Sequence, residues 1–172
     1  MQLYLPLVCA TAFCQYNPAN DMSTIKFHVK NFGIRTDGLF KTLDGTITFD
    51  VDHPQESKFN VSVDAASIDT DNELRDGHLR GEGYFDVNTF PVISFVSRQV
   101  TAGEKPGTFS ITGDLTIKGH IKTISFPFVY ETKNGKVNFT GTFYINRKDF
   151  DIGGSSVISD SVGVDLNIVA EK

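Results

Sequence analysis

From Ser23 to the C-terminus, apolar side chains recur at every second residue and helical spacing is nearly absent. A period of two puts alternate residues on opposite faces of a strand, so the pattern demands sheet with one buried face. Eight segments carry it. Ile25, Phe27 and Val29 form the first; Leu39, Leu43, Ile47, Phe49 and Val51 the second, with Gly45 in phase; Phe59, Val61 and Val63 the third. Pro91–Val100 places Ile93 and Phe95 in one phase and Val92 and Val96 in the other, which implies cover on both sides. Next come Phe109, Ile111, Leu115 and Ile117 around Gly113, then Ile124, Phe126, Phe128 and Tyr130. Val137, Phe139, Phe143 and Ile145 flank Gly141, and Val162, Val164, Leu166, Ile168 and Ala170 close the series.

Turn residues at Gly103–Gly107, Lys118–Lys122 and Lys133–Gly135 make the links short, which joins antiparallel neighbours. One interval, Thr70 to Phe90, loses the alternation. There Thr70 and Glu73 have capping-box spacing, and Leu74, His78, Arg75 and Leu79 have helical spacing, so one short helix is expected, weakened by Gly77. An irregular segment then returns Tyr84, Phe85 and Phe90 to the sheet. The expected fold is all-β: an eight-stranded antiparallel barrel with one helical insertion, closure removing the unpaired edges. A two-sheet sandwich is the alternative. With strands of about ten residues tilted by ~40°, the barrel would stand roughly 25 Å tall.

The chain's 172 residues suffice for one domain with a substantial core. Its net charge of −5 supplies no general positive field for a phosphate backbone or an anionic membrane surface, and nucleic acid is not an expected partner. Residues 1–14 are apolar from Leu3 to Cys14 and carry no acid or base, as in a short export signal, with Ala12 and Cys14 small enough to precede a cut that leaves Gln15. The other reading is a hydrophobic strand that stays. This run is too short to span a bilayer as a helix. Cys9 and Cys14 are the only cysteines, so the expected mature domain, 15–172, would contain no disulfide.

Catalytic patterns are scarce. No nucleophile elbow, phosphate loop or metal-binding helix is present, and His28, His53, His78 and His120 are scattered, so no metal or cofactor is expected. Asp149 and Asp151 read as residues bracketing a bend and pairing with Arg147 or Lys148. The phenylalanines are the larger signal: 15 of the chain's residues are Phe, and nearly every strand offers three or four large apolar side chains to one face while a single short helix is all that could cover it. Glycines in the same phase either make room for a ligand or mark bends in a coiled wall.

The blocks "STIKFHVKNFGI", "GLFKTLDGTITFD", "VDAASIDTDNELRDGHLRGEGYFDVNTFPVISF", "ITGDLTIKGHIKTISFPF" and "INRKDFDIG" resemble the YceI family from about Ser23 onward. The resemblance implies a lipocalin-like barrel in the periplasm that binds polyisoprenoids or other long-chain lipids and is not an enzyme. On that reading the inward phases nominate Phe27, Val29, Ile47, Phe49, Val61, Val63, Phe85, Phe95, Phe109, Ile111, Leu115, Phe126, Phe139, Phe143, Ile145 and Ile168 as lipid contacts. Arg147, continuing the phase of Ile145, is nominated for an anionic head group, or else for an internal ion pair with Asp149, Asp151 or Asp76. Ligand identity, a carrier, storage or scavenging role, a filled barrel without ligand, and a homodimer all stay open.

Overall fold

The computed structural model describes residues 14–172. Eleven strands form one sheet: β1 (Cys14–Pro18), β2 (Thr24–Asn31), β3 (Ile34–Phe40), β4 (Leu43–Phe49), β5 (Lys58–Asp64), β6 (Ile68–Asp69), β7 (Val92–Ala102), β8 (Thr108–Ile117), β9 (His120–Lys133), β10 (Lys136–Asn146) and β11 (Ile158–Glu171). One helix, α1 (Glu73–Arg80), interrupts them. All pairings are antiparallel. The second expected strand is β3 and β4 together, bent at Lys41–Thr42: its first half pairs with β2 and its second with β5. Counted so, eight long strands make the closed barrel. β1 completes the seam, pairing with β4 through Cys14–Tyr16 and with β11 through Asn17 and Pro18. Apart from Cys14, the expected export segment lies outside the described residues.

Two details correct the sequence reading. Val92 and Val96 are about half exposed, so β7 has cover on one face only. A bulge between Ser97 and Gln99 then switches the phase, which is how Val100, an odd number of residues from Phe95, becomes fully buried. The helix is capped by Asn72, whose side chain accepts from the Arg75 N–H at 3.0 Å. Thr70 is buried instead, its N–H and hydroxyl donating to Asp76 Oδ1 at 3.0 and 2.5 Å.

The barrel interior has two parts. At the end nearer β1, Phe49 packs against Phe59, Phe109, Phe128, Tyr130 and Phe139, with ring centroids 4.8–6.1 Å apart. Tyr16, Ile47, Ile111, Val137 and Ala170 complete this aromatic plug. A second cluster of Leu115, Ile117, Phe150 and Ile152 lies toward the other end. On β4, β8 and β10 the inward glycine stands at the border: Gly45 follows Leu43 and precedes Ile47, Gly113 separates Ile111 from Leu115, and Gly141 separates Phe139 from Phe143. The space these glycines leave is largely taken by rings or backbone. A Cβ on Gly113 would come within 2.5 Å of the Phe95 ring, and one on Gly45 within 2.2 Å of the Asn60 carbonyl oxygen.

Phe49→Ala is expected to cost about 3–5 kcal/mol in urea unfolding, as the loss of a central core ring with little room to collapse. Burial, with Cys14 adding to it, pushes the Tyr16 phenol well above its ordinary value of 10.0. The folded state therefore holds that proton longer than the unfolded chain, so this contribution is intact below pH 10.0 and is lost as pH rises above it. Tyr16→Phe should flatten the fall in stability between pH ~9 and ~12; an unchanged profile would show that Tyr16 does not contribute to it.

Candidate functional site

Beyond the glycine border the strands surround a cavity of about 180 Å³. Its wall is drawn from β2 (Ile25, Phe27, Val29), β5 (Val61, Val63), β7 (Ile93, Phe95), β8 (Leu115, Ile117), Phe126 of β9, β10 (Phe143, Ile145) and β11 (Val162, Val164, Leu166, Ile168). Phe40, Leu43, Leu79, Tyr84, Phe85, Ile152 and Ile158 complete it, and Ser62, Ser94, Tyr84 and Arg147 are its only residues with polar side chains. Inward alternation on strands from all round the barrel thus converges on one apolar space. Phe126 and Phe143 stack within the wall at 4.6 Å, and Phe40 meets Phe85 edge-on at 5.7 Å.

Eleven of the nominated contacts line this cavity: Phe27, Val29, Val61, Val63, Phe85, Phe95, Leu115, Phe126, Phe143, Ile145 and Ile168. Ile47, Phe49, Phe109, Ile111 and Phe139 do not; they belong to the plug, where neighbouring rings occupy the space a ligand would need. Their phase was legible from alternation, but their depth along the barrel was not. Conversely, Ile25, Ile93, Ile117, Val162, Val164 and Leu166 had the inward phase without being nominated, while Ile152 and Ile158 flank a loop with no periodic signal.

Arg147 is not free to bind a head group. Only 3% exposed, its guanidinium donates to the carbonyl oxygens of Ser159 (3.1 Å), Ile152 (2.7 Å), Gly154 (3.1 Å), Ser156 (3.3 Å) and Ile158 (2.9 Å). These five bonds match the five N–H donors of the group. Its acidic partner is Asp160 at 3.1 Å, which also pairs with Lys148 at 3.0 Å; none of Asp149, Asp151 and Asp76 fills that role. Asp151 instead approaches Lys118 at 3.5 Å. Arg147 thus shapes residues 152–159 into one lip of the cavity, contributing its surface but not its donors.

The opposite lip is α1 and the segment after it. Arg75 donates to the Thr70 hydroxyl at 2.7 Å and its carbonyl at 2.6 Å, while Arg80 reaches the carbonyls of Ala66 and Ile68 at 3.0 Å each. The two lips meet where the Gly153 N–H donates to the Gly83 carbonyl at 2.9 Å. Beside that junction a second depression, lined by Asn31, Asn72, Leu74, Arg75, His78, Leu79, Tyr84 and Ile158, shares its last three residues with the cavity. This is the cavity's mouth. The other histidines lie apart: His28 beside Asp165 on β2, His53 beside Asp50, and His120 at the start of β9. Among the described residues no three His, Cys, Asp or Glu side chains group as metal ligands.

Residues 16–170, which include all of these elements except the first residues of β1 and the last of β11, match the YceI-like domain. The chain belongs to the YceI-like family. A UPF0312 protein of Pseudomonas savastanoi pv. phaseolicola is 36% identical over 140 residues, covering 76% of this chain and 70% of its own. Burkholderia cenocepacia BcnA has the same fold with a TM-score of 0.84 at 25% identity, over 88% of this chain and 98% of its own. A polyisoprenoid-binding domain from Saccharophagus degradans, implicated in plant cell wall breakdown, shares the fold at 13% identity and a TM-score of 0.71, over 92% and 98% of the two chains.

Arg147→Met should lower stability by about 3 kcal/mol or more, because several buried carbonyls lose their donors together. Arg147→Lys should rescue little, since an ammonium has three donors and no planar fork. Urea unfolding, with limited proteolysis of residues 152–159, checks both; a stable, protease-resistant lysine variant would show that the five-carbonyl arrangement is dispensable.

Proposed function

We propose that this YceI-like protein binds a long-chain apolar lipid of the polyisoprenoid kind in the cavity beyond the glycine border, and carries or stores it without chemical change. The observation that carries this reading is the wall itself: apolar residues from around the barrel face a space the protein's own side chains do not fill, while the plug on the other side of the border is densely packed. Burying ten methylenes of such a chain would contribute about 8 kcal/mol. That corresponds to roughly micromolar affinity before the cost of ordering the lipid is subtracted. The Saccharophagus degradans domain, described as polyisoprenoid-binding, supports the same ligand class on the shared fold. With Arg147 saturated, the cavity favours a neutral chain inside and leaves any polar head at the mouth, near Asn31, Asn72, Arg75 and His78.

Export to the periplasm is part of the proposal and rests on the apolar N-terminal segment; fractionation of the native host tests it, and protein confined to the cytoplasm would remove it. A wholly filled barrel describes the plug but leaves the cavity unexplained.

Native mass spectrometry of the isolated protein, followed by organic extraction, is expected to reveal an apolar lipid. Val164→Phe, which adds a ring to the wall between Phe27 and Phe143, should weaken binding of an added fluorescent isoprenoid about tenfold or more while thermal stability changes little. A bare protein that also refuses the isoprenoid would overturn the reading.

A further inference from the structure

The mouth of the cavity is ringed by large apolar side chains that point into solvent. Phe32, Ile34, Leu74 and Val157 are 77, 72, 76 and 59% exposed. They come from three separate parts of the chain: the β2–β3 turn, α1 and the loop before β11. The structure brings those parts together at one place, for Asn31 is the Cα partner of both Ile34 and Ile158, Val157 precedes Ile158, and Asn31, Leu74 and Ile158 all border the mouth. Isolated exposed apolar residues need no explanation, but four gathered beside the mouth of an apolar cavity form a patch.

The turn that presents Phe32 sharpens the point. Phe32 and Gly33 both have left-handed backbone, with φ of 50° and 78°. The second position is glycine, as this two-residue turn prefers, whereas the first carries an aromatic side chain where Asn, Asp or Gly is the usual choice. A bulky ring is thus displayed at a solvent-exposed tip that local conformational preference disfavours. Charge adds a direction. Lys30 and Arg35 flank the tip, and Arg75 and His78 border the mouth; of these only Arg35 has a carboxylate partner among the described residues, Asp37 at 2.7 Å. In a chain of net charge −5, Lys30 and Arg75 thus place positive charge beside the mouth without a carboxylate partner among the described residues.

We propose that Phe32, Ile34, Leu74 and Val157 form a surface that docks the mouth of the barrel onto an anionic lipid bilayer. The apolar tips enter the boundary between head groups and acyl chains, and Lys30, Arg75 and His78 lie level with the phosphates. A chain poorly soluble in water would then pass between bilayer and cavity without crossing bulk solvent. The purpose of the surface rests on the cavity binding a lipid, but the docking is measured without any cavity ligand.

The test is flotation of the full chain with phosphatidylcholine vesicles with and without phosphatidylglycerol. The wild-type protein is expected to float with the anionic vesicles, and Phe32→Ser/Ile34→Ser to partition about tenfold less while keeping its thermal stability and isoprenoid affinity. Val164→Phe should lose isoprenoid affinity yet still float; if isoprenoid binding fails for the wild type but rim-dependent flotation persists, the cavity reading falls and the docking surface stands. Wild-type protein that stays with the unbound fraction, or a double variant that floats equally well, overturns the docking surface. So does sedimentation velocity showing that the rim holds two copies together and that the dimer ignores vesicles.

Discussion

One buried guanidinium organises the working end of this barrel. Residues 152–159 contain two glycines and two serines at their centre and could not hold a single shape through side-chain packing alone. Arg147 supplies the missing order by giving every one of its donors to the backbone of that loop. Three consequences follow from that one group. Ile152 and Ile158 are held in the cavity wall, Gly153 is held where it can bond to Gly83, and the segment containing Tyr84 and Phe85 is tied down in turn. Guanidinium suits the task because its donors lie in one plane and diverge, so carbonyls spread along a curved loop can all reach it. Asp160 balances the charge from the solvent side, being about half exposed itself.

The interior separates jobs that a uniformly packed barrel would combine. Aromatic packing around Phe49 fills one end, while the wall beyond Gly45, Gly113 and Gly141 surrounds the cavity. Stability can therefore reside mainly in the plug, leaving the cavity wall freer to adjust to what it holds. The glycines belong to the packing of this boundary: Phe95 lies over Gly113 much as Phe27 lies over Gly38. Rings close to the backbone make the wall smooth on the side that faces the cavity.

Alternation revealed the class of fold, the eight strands and the inward phase of nearly every wall residue, because period two is a local property of each strand. It could not show that β3 and β4 turn away from each other at Lys41: the odd-numbered series of Leu39, Leu43 and Ile47 reads as one strand, whereas the bend shifts the phase, so that Phe40, opposite Ile25, faces the cavity and Leu39, opposite Lys26, does not. Nor could it locate Phe139 in the plug and Phe143 in the cavity, four residues apart on one face of β10; that depends on which strands lie opposite. Arg147 was found as a cation ending an apolar row, but its true partners are main-chain carbonyls, and those have no sequence signature. The helix is legible in the sequence but its cap is not, because Thr70 and Asn72 are both good capping residues and only burial beside Asp76 decides between them.

The seam at β1 has a bearing on how the molecule is made. β1 joins β4 to β11, so Asn17 lies opposite Glu171 across almost the whole length of the described chain. Contacts this distant in sequence carry the largest loop-closure entropy and form slowly. During synthesis the meander from β7 to β10 can pair strand by strand as it emerges, but the ring cannot shut until β11 has arrived to meet β1 and β2. Until then the barrel is an open, curled sheet whose greasy concave face is accessible, which makes the time between emergence of β10 and docking of β11 the interval in which a chaperone would matter most.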